Sequence, residues 1–402
     1  MIAVTDLERD AIAHVGAAPM LAQTESWVAI NSGTRNLAGL RTMAGLLADA
    51  FAVLPGALSL IEPDPVESVS PAGQVEQLAH GQHLRLSVRP DAPLQLLFTG
   101  HMDTVYPVDH PFQSARWLPD GTLNGPGAAD MKGGLAVMLA ALQAVEASPL
   151  APRLGYDVVI NSDEETGSFA SAALIARAAR GKHVAFTYEP ALPDGTLAGA
   201  RGGTGNFSLI VRGRSAHAGR NPETGRNALV AAADLAVRLA SAGTPALSVN
   251  PARIDGGGPN NVVPELAILR VNFRPRAQEA IDDATTAIQR IVESVSREHE
   301  VRIEVHGSFN RPPKPLDPRS LQLFHLVQGA GAALGLQIAW KATGGVCDGN
   351  NIAACGVPVI DTMGVRGGAI HSMEEFLIPD SLAERAALSA ISILRLAERG
   401  GL

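Results

Sequence analysis

Leu94-Gln95-Leu96-Leu97-Phe98-Thr99 is an apolar run of strand length that leads without a break into Gly100-His101-Met102-Asp103-Thr104-Val105. The same device recurs twice downstream. Residues 156–161 (YDVVIN) end at Asp163, Glu164 and Glu165, and residues 183–188 (HVAFTY) end at Glu189. Runs this short and this apolar read as strands buried on both faces, the pattern of a parallel sheet. Each delivers an imidazole or a carboxylate just past its carboxyl end, where open α/β sheets converge on a crevice. Residues 132–147 and 168–180 between them have helical spacing. The alternation predicts an α/β fold, with a mostly parallel sheet covered by helices on both faces.

The texture changes after residue 201. Residues 206–212, 267–273 and 301–305 read as strands, and residues 227–240 and 280–295 as helices. This is the pattern of a smaller α+β unit with its own sheet. Four prolines in residues 311–318 (RPPKPLDP) then make a stiff crossing. Beyond them the α/β pattern resumes, with a helix near residues 320–334 and an apolar strand at 357–360. The expected organisation is one domain built from residues 1–201 and 311–402, with residues 202–310 inserted as a second.

Composition limits what such a chain can do. At 402 residues, 46% hydrophobic and 18% charged, it is long enough for two packed cores. A formal net charge of -8 provides no basic footprint for nucleic acid. The two cysteines, Cys347 and Cys355, make no disulfide framework and suit a reducing compartment. Asp6, Glu8, Arg9 and Asp10 stand where a secretory signal would need an unbroken apolar run. Residues 37–54, taken as the most apolar later stretch, are interrupted by Arg41 and Asp49 and are spaced like a packed helix. With Met1 taken as the native start, the expectation is a soluble cytoplasmic protein without membrane contact.

The polar residues at the strand ends carry the chemistry. His101 and Asp103 share one face of their strand, so the carboxylate can support the imidazole nitrogen that a metal leaves free. A buried histidine satisfied by hydrogen bonds is the plainer reading of that pair. Asp130 lies in a glycine-rich loop, Gly125-Pro126-Gly127-Ala128-Ala129-Asp130-Met131-Lys132-Gly133-Gly134, that opens a helix. It reads as an N-cap or as a ligand held where backbone packs closely. A phosphate loop is not supported, because Gly-x4-Gly-Lys-Ser/Thr is missing. Glu164 and Glu165 are a solvated turn or a division of labour, one binding metal and the other facing the attacking water. Glu189 and His371 are, in isolation, a strand-end acid and a loop histidine. Taken together, two histidines and three carboxylates set about minus three against plus four for a Zn²⁺ pair, which a bridging hydroxide would neutralise, and N/O donors without thiolate favour Zn²⁺, with Co²⁺ or Mn²⁺ as substitutes.

The set TGHMDTV, GPGAADMKGG, DEETGS, YEP, SAHAG and GGAIHS, in this order over nearly the whole chain, resembles the dinuclear zinc M20 metallopeptidases. That group includes glutamate carboxypeptidase (carboxypeptidase G), acetylornithine deacetylase, succinyl-diaminopimelate desuccinylase and aminoacylase. The resemblance implies two Zn²⁺ per subunit, one on His101, Asp130 and Glu189 and the other on Asp130, Glu165 and His371. It implies that Asp103 orients His101 and that Glu164 is general base and acid toward a metal-bridged water. A cis peptide after Asp130 is also implied. His217 in SAHAG would reach the partner subunit's site, making the inserted domain a lid and a homodimer interface. Asn261 and Arg274 would bind the substrate carboxylate. Read without the resemblance, His217 is a turn histidine and Arg274 a surface cation.

Gly345 lies in residues 344–350 (GGVCDGN), matching a segment that, in the family this chain resembles, often carries Thr or Ser where this chain has Val346 and Cys347. That departure weakens any transfer of substrate contacts. The implied function is hydrolysis of an amide bond to an amino acid, of the glutamate carboxypeptidase type. The close alternative is an N-acyl amino acid deacylase. A non-catalytic metal-binding scaffold and a dinuclear phosphoesterase are remote alternatives. A small peptide or N-acyl amino acid is the expected substrate.

Overall fold

The computed structural model describes residues 4–402. Its central sheet has six strands in the order Ala57–Ile61, His83–Val88, Leu154–Asn161, Leu94–His101, Val184–Thr187, Val359–Ile360. The last four are mutually parallel, as the apolar runs predict. The first two pair antiparallel at one edge and make the sheet mixed. The buried strand Leu94–His101 lies between Leu154–Asn161 and Val184–Thr187. Adjacency of these three strands is what brings His101, the 163–165 turn and Glu189 to one sheet edge.

Both faces of the sheet are covered. Phe98, Val158, Ile160 and Phe186 share the larger core cluster with the helices Gly133–Glu146 and Ser381–Arg399. Leu97, Val159 and Ala185 point the opposite way, toward Leu174 and Ile175 of Ala172–Ala179 and Ile352 of Asp348–Ala354. Successive residues on a strand alternate faces, so one apolar run feeds both layers. Among the described residues, the stretch 128–146, rather than 37–54, is the helix long and apolar enough to cross a membrane by length and composition. It is 94% buried inside this protein, and its all-round apolar surface is accounted for as a core helix.

The second sheet is four-stranded and antiparallel: Leu247–Gly256, Leu266–Pro275, Thr204–Arg212, Arg302–Arg311. Helices Ala228–Ser241 and Gln278–Glu298 pack on one face around Leu209, Leu235, Leu269 and Ile288. Sequence reading did not anticipate the other face. A hairpin of Val66–Val69 and Val75–Leu78 lies over it, with Val69 against Ile210 and Ile268. Arg270 Nη2 donates to the Val69 carbonyl at 2.7 Å, and Arg212 Nη2 to that of Gly73 at 2.8 Å. The hairpin therefore ties the larger part of the chain to the smaller.

Candidate metal centre

Two local distortions shape the site. The helix expected over residues 168–180 begins only at Ala172, because Asp163 holds the intervening turn. Its carbonyl accepts from Ser168 N at 2.8 Å and its carboxylate from Ala170 N at 2.6 Å, with Ser168 at a positive φ of 57°. Residues 128–132 form a wide turn before the Gly133–Glu146 helix, with Asp130 and Met131 outside helical φ/ψ and a cis Asp130–Met131 peptide. Asp130 is thus not an N-cap. The helix is preceded by Lys132, which makes no side-chain cap bond.

Asp130 turns its carboxylate outward between two imidazoles. His101 Nε2 lies 3.1 Å from Oδ1, and His371 Nε2 lies 3.3 Å from Oδ2. His101 Nε2 is also 3.8 Å from Glu189 Oε2, and His371 Nε2 is 3.1 Å from Glu165 Oε2. Donor atoms about 2 Å from a tetrahedral ion stand about 3.3 Å apart, so both sets have the spacing of ligands around one cation. His101, Asp130 and Glu165 offer atoms all within 4.8 Å of one another, as do His101, Glu164 and Glu189.

The electrostatics make the same case. Asp130, Glu164, Glu165 and Glu189 crowd four carboxylates into one buried place. Burial, joined by the Asp130 charge, pushes Glu165 up to about 8. Burial likewise pushes Glu164 up to about 7, against the pull of the Arg311 guanidinium. For Asp130 burial acts upward, but hydrogen bonds from His101 and His371 outweigh it and hold the group well below the carboxylate range. Hydrogen bonds to Asp130 and Glu165 raise His371 to about 11. Protons on the imidazoles here do what divalent cations would do better, and a donor set of two imidazoles and several carboxylates fits such ions.

Asp103 supports this cluster in a way its strand position only half implied. The hydrogen bond from His101 Nδ1 goes to the Asp103 backbone carbonyl at 3.0 Å, with carboxylate Oδ1 at 3.4 Å. The carboxylate itself accepts from Glu164 N and Glu165 N, each at 3.2 Å, and from Thr34 Oγ1 at 2.7 Å. It links the His101 strand to the two glutamates.

A cavity of about 300 Å³ opens beside the cluster, lined by Asp130, Glu164, Glu165, Glu189 and His371 and, farther out, by Arg201, Lys341 and Gly345. The Gly345 carbonyl accepts from Arg201 Nη1 at 3.1 Å. His217, Asn261 and Arg274 do not line it. All three are exposed on the smaller part of the chain, where Ala218 N donates to the Asn261 carbonyl at 2.9 Å and Arg274 Nε to Asn272 at 2.8 Å.

Sequence reasoning passed over several charged groups here. Arg311 Nη2 approaches Glu164 Oε1 to 2.7 Å, and Arg201 and Lys314 converge on buried Asp361. Glu375 accepts from the backbone of the Asp130 loop. Glu375 follows His371 by four residues and was open to notice as an acid near a proposed ligand. The others carry no local signal.

Residues 97–395 match the peptidase family M20/M25/M40. Carboxypeptidase G2 of Pseudomonas sp. (strain RS-16) is 30% identical, over 75% of this chain and 74% of that protein. Succinyl-diaminopimelate desuccinylase of Verminephrobacter eiseniae is also 30% identical, over 70% of this chain and 74% of that one. Among solved structures, a dinuclear metal-binding peptidase of the M20 family from Bacillus subtilis superposes with a TM-score of 0.64 at 14% identity, over 96% of this chain and 99% of the other.

Proposed function

From the premise that this chain belongs to peptidase family M20/M25/M40, whose members are metal-dependent enzymes acting on amide bonds, we propose that it is a dinuclear zinc hydrolase releasing an amino acid from an amide. The observation that carries the reading is the Asp130 carboxylate, with one oxygen facing His101 and the other facing His371. His101, Asp130 and Glu189 would hold one ion, and Asp130, Glu165 and His371 the other. Two Zn²⁺ bound there would supply Lewis acidity, for acidifying a water and polarising the scissile carbonyl.

The chain's own groups do the rest. Glu164, whose carboxylate lies within 4.8 Å of donor atoms of His101 and Glu189 and which adjoins Glu165, takes the proton of the attacking water and returns it to the departing amine. In the metal-free site burial pushes its carboxyl up to about 7, toward the range a group that both accepts and donates a proton needs, and bound cations would draw it back down. Asp103 fixes the backbone of Glu164 and Glu165 against His101. The cavity offers room for an acyl group beside the cluster, and exposed Lys341 at its wall offers a cation to an acidic substrate, while Arg201, paired with Asp361 and the Gly345 carbonyl, holds that wall in place. His217, Asn261 and Arg274 complete the site from a partner subunit and from closure of the inserted lid.

We favour cleavage of an acyl or peptidyl group from a C-terminal amino acid, glutamate above all, on the likeness to carboxypeptidase G2 and the TGHMDTVYP wording. The likeness to the desuccinylase supports N-acyl amino acid deacylation as the second reading. The test is metal analysis together with a panel of folyl-type and dipeptide glutamates against N-acetyl and N-succinyl amino acids. The expected result is two Zn²⁺ per chain and a preference for the glutamates. A Glu164→Gln protein that binds zinc normally and keeps full activity would overturn the mechanism.

A further inference from the structure

Glu375 is almost fully buried, at 1% exposure, and its carboxylate is spent on one loop. Oε1 accepts from Ala129 N and Asp130 N, both at 3.0 Å, and Oε2 accepts from Gly127 N at 3.1 Å. Tyr106 Oη stands 2.9 Å from Oε2 and 2.8 Å from the Ser372 carbonyl, sharing its one hydrogen between them. The three N–H groups open the turn that leads into the Gly133–Glu146 helix, where no preceding helical carbonyl can pair with them. A buried carboxylate is costly unless several donors meet it, and this turn supplies them.

The other end of the staple matters as much. His371 sits on an exposed loop with positive φ at both Ala369 and His371, held at its base where Gly367–Gly368 pairs with Phe376–Leu377. Glu375 lies between His371 and that strand, and its carbonyl accepts from Asn124 Nδ2 at 2.6 Å. One residue therefore joins the loop carrying His371 to the loop carrying Asp130. The 3.3 Å separation of His371 Nε2 and Asp130 Oδ2 is spanned by this connection.

We propose that Glu375 is a positioning residue that sets the bridging carboxylate of Asp130 against His371, so that the pair can hold the second of two metal ions. The inference rests on the dinuclear reading of the site. Glu375 stands outside the proposed ligand sets and acts through the backbone of residues 127–130. Replacing it by glutamine keeps the shape but turns an amide N–H toward backbone donors, which frees the loop without emptying the space.

The experiment is a Co²⁺ titration of the metal-stripped full chain, read by calorimetry and by the visible ligand-field bands of bound Co²⁺. Wild type should take up two ions. Glu375→Gln should bind the first like wild type and the second about 10- to 100-fold more weakly, the usual loss when a group supporting a ligand is removed. Its second-site bands should shift as well. Tyr106→Phe, which removes one of four donors to the carboxylate, should keep both ions within about threefold, well short of that loss. Should Glu375→Gln fail to fold by circular dichroism, Glu375→Asp, which retains charge but shortens the reach, carries the same expectation. Two ions bound with wild-type affinity and spectrum in the variant overturn the proposal, as does equal weakening of both. A wild-type chain that binds only one ion overturns the dinuclear reading itself, a result the variant cannot mimic.

Discussion

Arg311 holds its Nη2 2.7 Å from Glu164 Oε1, with both side chains buried, and the same nitrogen donates to the Glu164 carbonyl at 2.9 Å. The carboxylate contact is close but off the hydrogen-bonding direction, so Glu164 Oε1 has no hydrogen-bond partner among the described residues. Attraction here is coulombic, and the oxygen keeps its lone pairs for a proton. Arg311 is also the last residue of the strand Arg302–Arg311, where the chain leaves the smaller sheet. The orientation of the inserted part is thereby coupled to the position of the group assigned as base.

Removing that cation should separate two effects. Arg311→Met leaves Glu164 and Asp348 buried without their shared partner, which costs about 3–5 kcal/mol of stability. A base displaced by about 1 Å loses about 100-fold in kcat. The expectation is a lower denaturation midpoint and a reduced kcat, with zinc content unchanged and partial recovery in Arg311→Lys. Retained kcat beside reduced stability would make Arg311 a structural tie and nothing more.

These contacts show where sequence reading runs out. His101, the 163–165 acids and Glu189 were legible because each stands at the end of an apolar run, and strand order converts that position into proximity. The glycines around Asp130 signalled close backbone, though not that the loop would deny Asp130 an N-cap role. Arg311 and Glu164 are 147 residues apart, and Glu375 is 245 from Asp130. Such buried ion pairs and backbone caps depend on how distant segments return. No period or spacing encodes them. The hairpin over the second sheet escaped notice as well, since its strands are short, one part-buried and the other mostly exposed.

Metal uptake by the stripped protein should release protons and strengthen as pH rises. His371 is raised to about 11 and Glu165 to about 8, so near pH 7 both carry protons that a cation must displace. His101, also held well above its ordinary range despite burial, adds to the release. Apparent Zn²⁺ affinity should therefore increase from pH 6 to pH 8, with the stripped protein's ligands progressively freed of competition. Calorimetry in two buffers of different ionisation enthalpy counts the protons directly. Affinity that is flat or falls over this interval would contradict the arrangement of charges described.

Glycine is required at one contact that the sequence could only hint at. A Cβ on Gly134 would lie 2.1 Å from the Tyr188 carbonyl oxygen, a backbone atom that cannot rotate away. Tyr188 precedes Glu189, so the clash falls on a proposed ligand. Gly134→Ala should cost about 1–3 kcal/mol through overpacking and should lower zinc retention in dialysis against a chelator. Gly45→Ala makes the control. It lies inside the helix Leu37–Phe51 with nothing within 4 Å of the new methyl, and should stabilise by about 0.5–1 kcal/mol. Equal Tm shifts in the two variants would remove close approach as the reason for the glycine.

Within one chain, His217 is exposed and lies off the cavity that holds Glu164, although both belong to the proposed mechanism. If His217 serves the partner's site, neither variant alone can show it, because each loses activity for its own reason. Mixing them can. In a heterodimer of Glu164→Gln and His217→Ala subunits, one site suffers both defects and the other has an intact Glu164 together with an intact His217 from across the interface. Dissociating and re-forming the mixture should therefore restore activity that neither parent shows. If His217 acted within its own chain, every site in the heterodimer would keep one defect, and the mixture would stay as inactive as its parents.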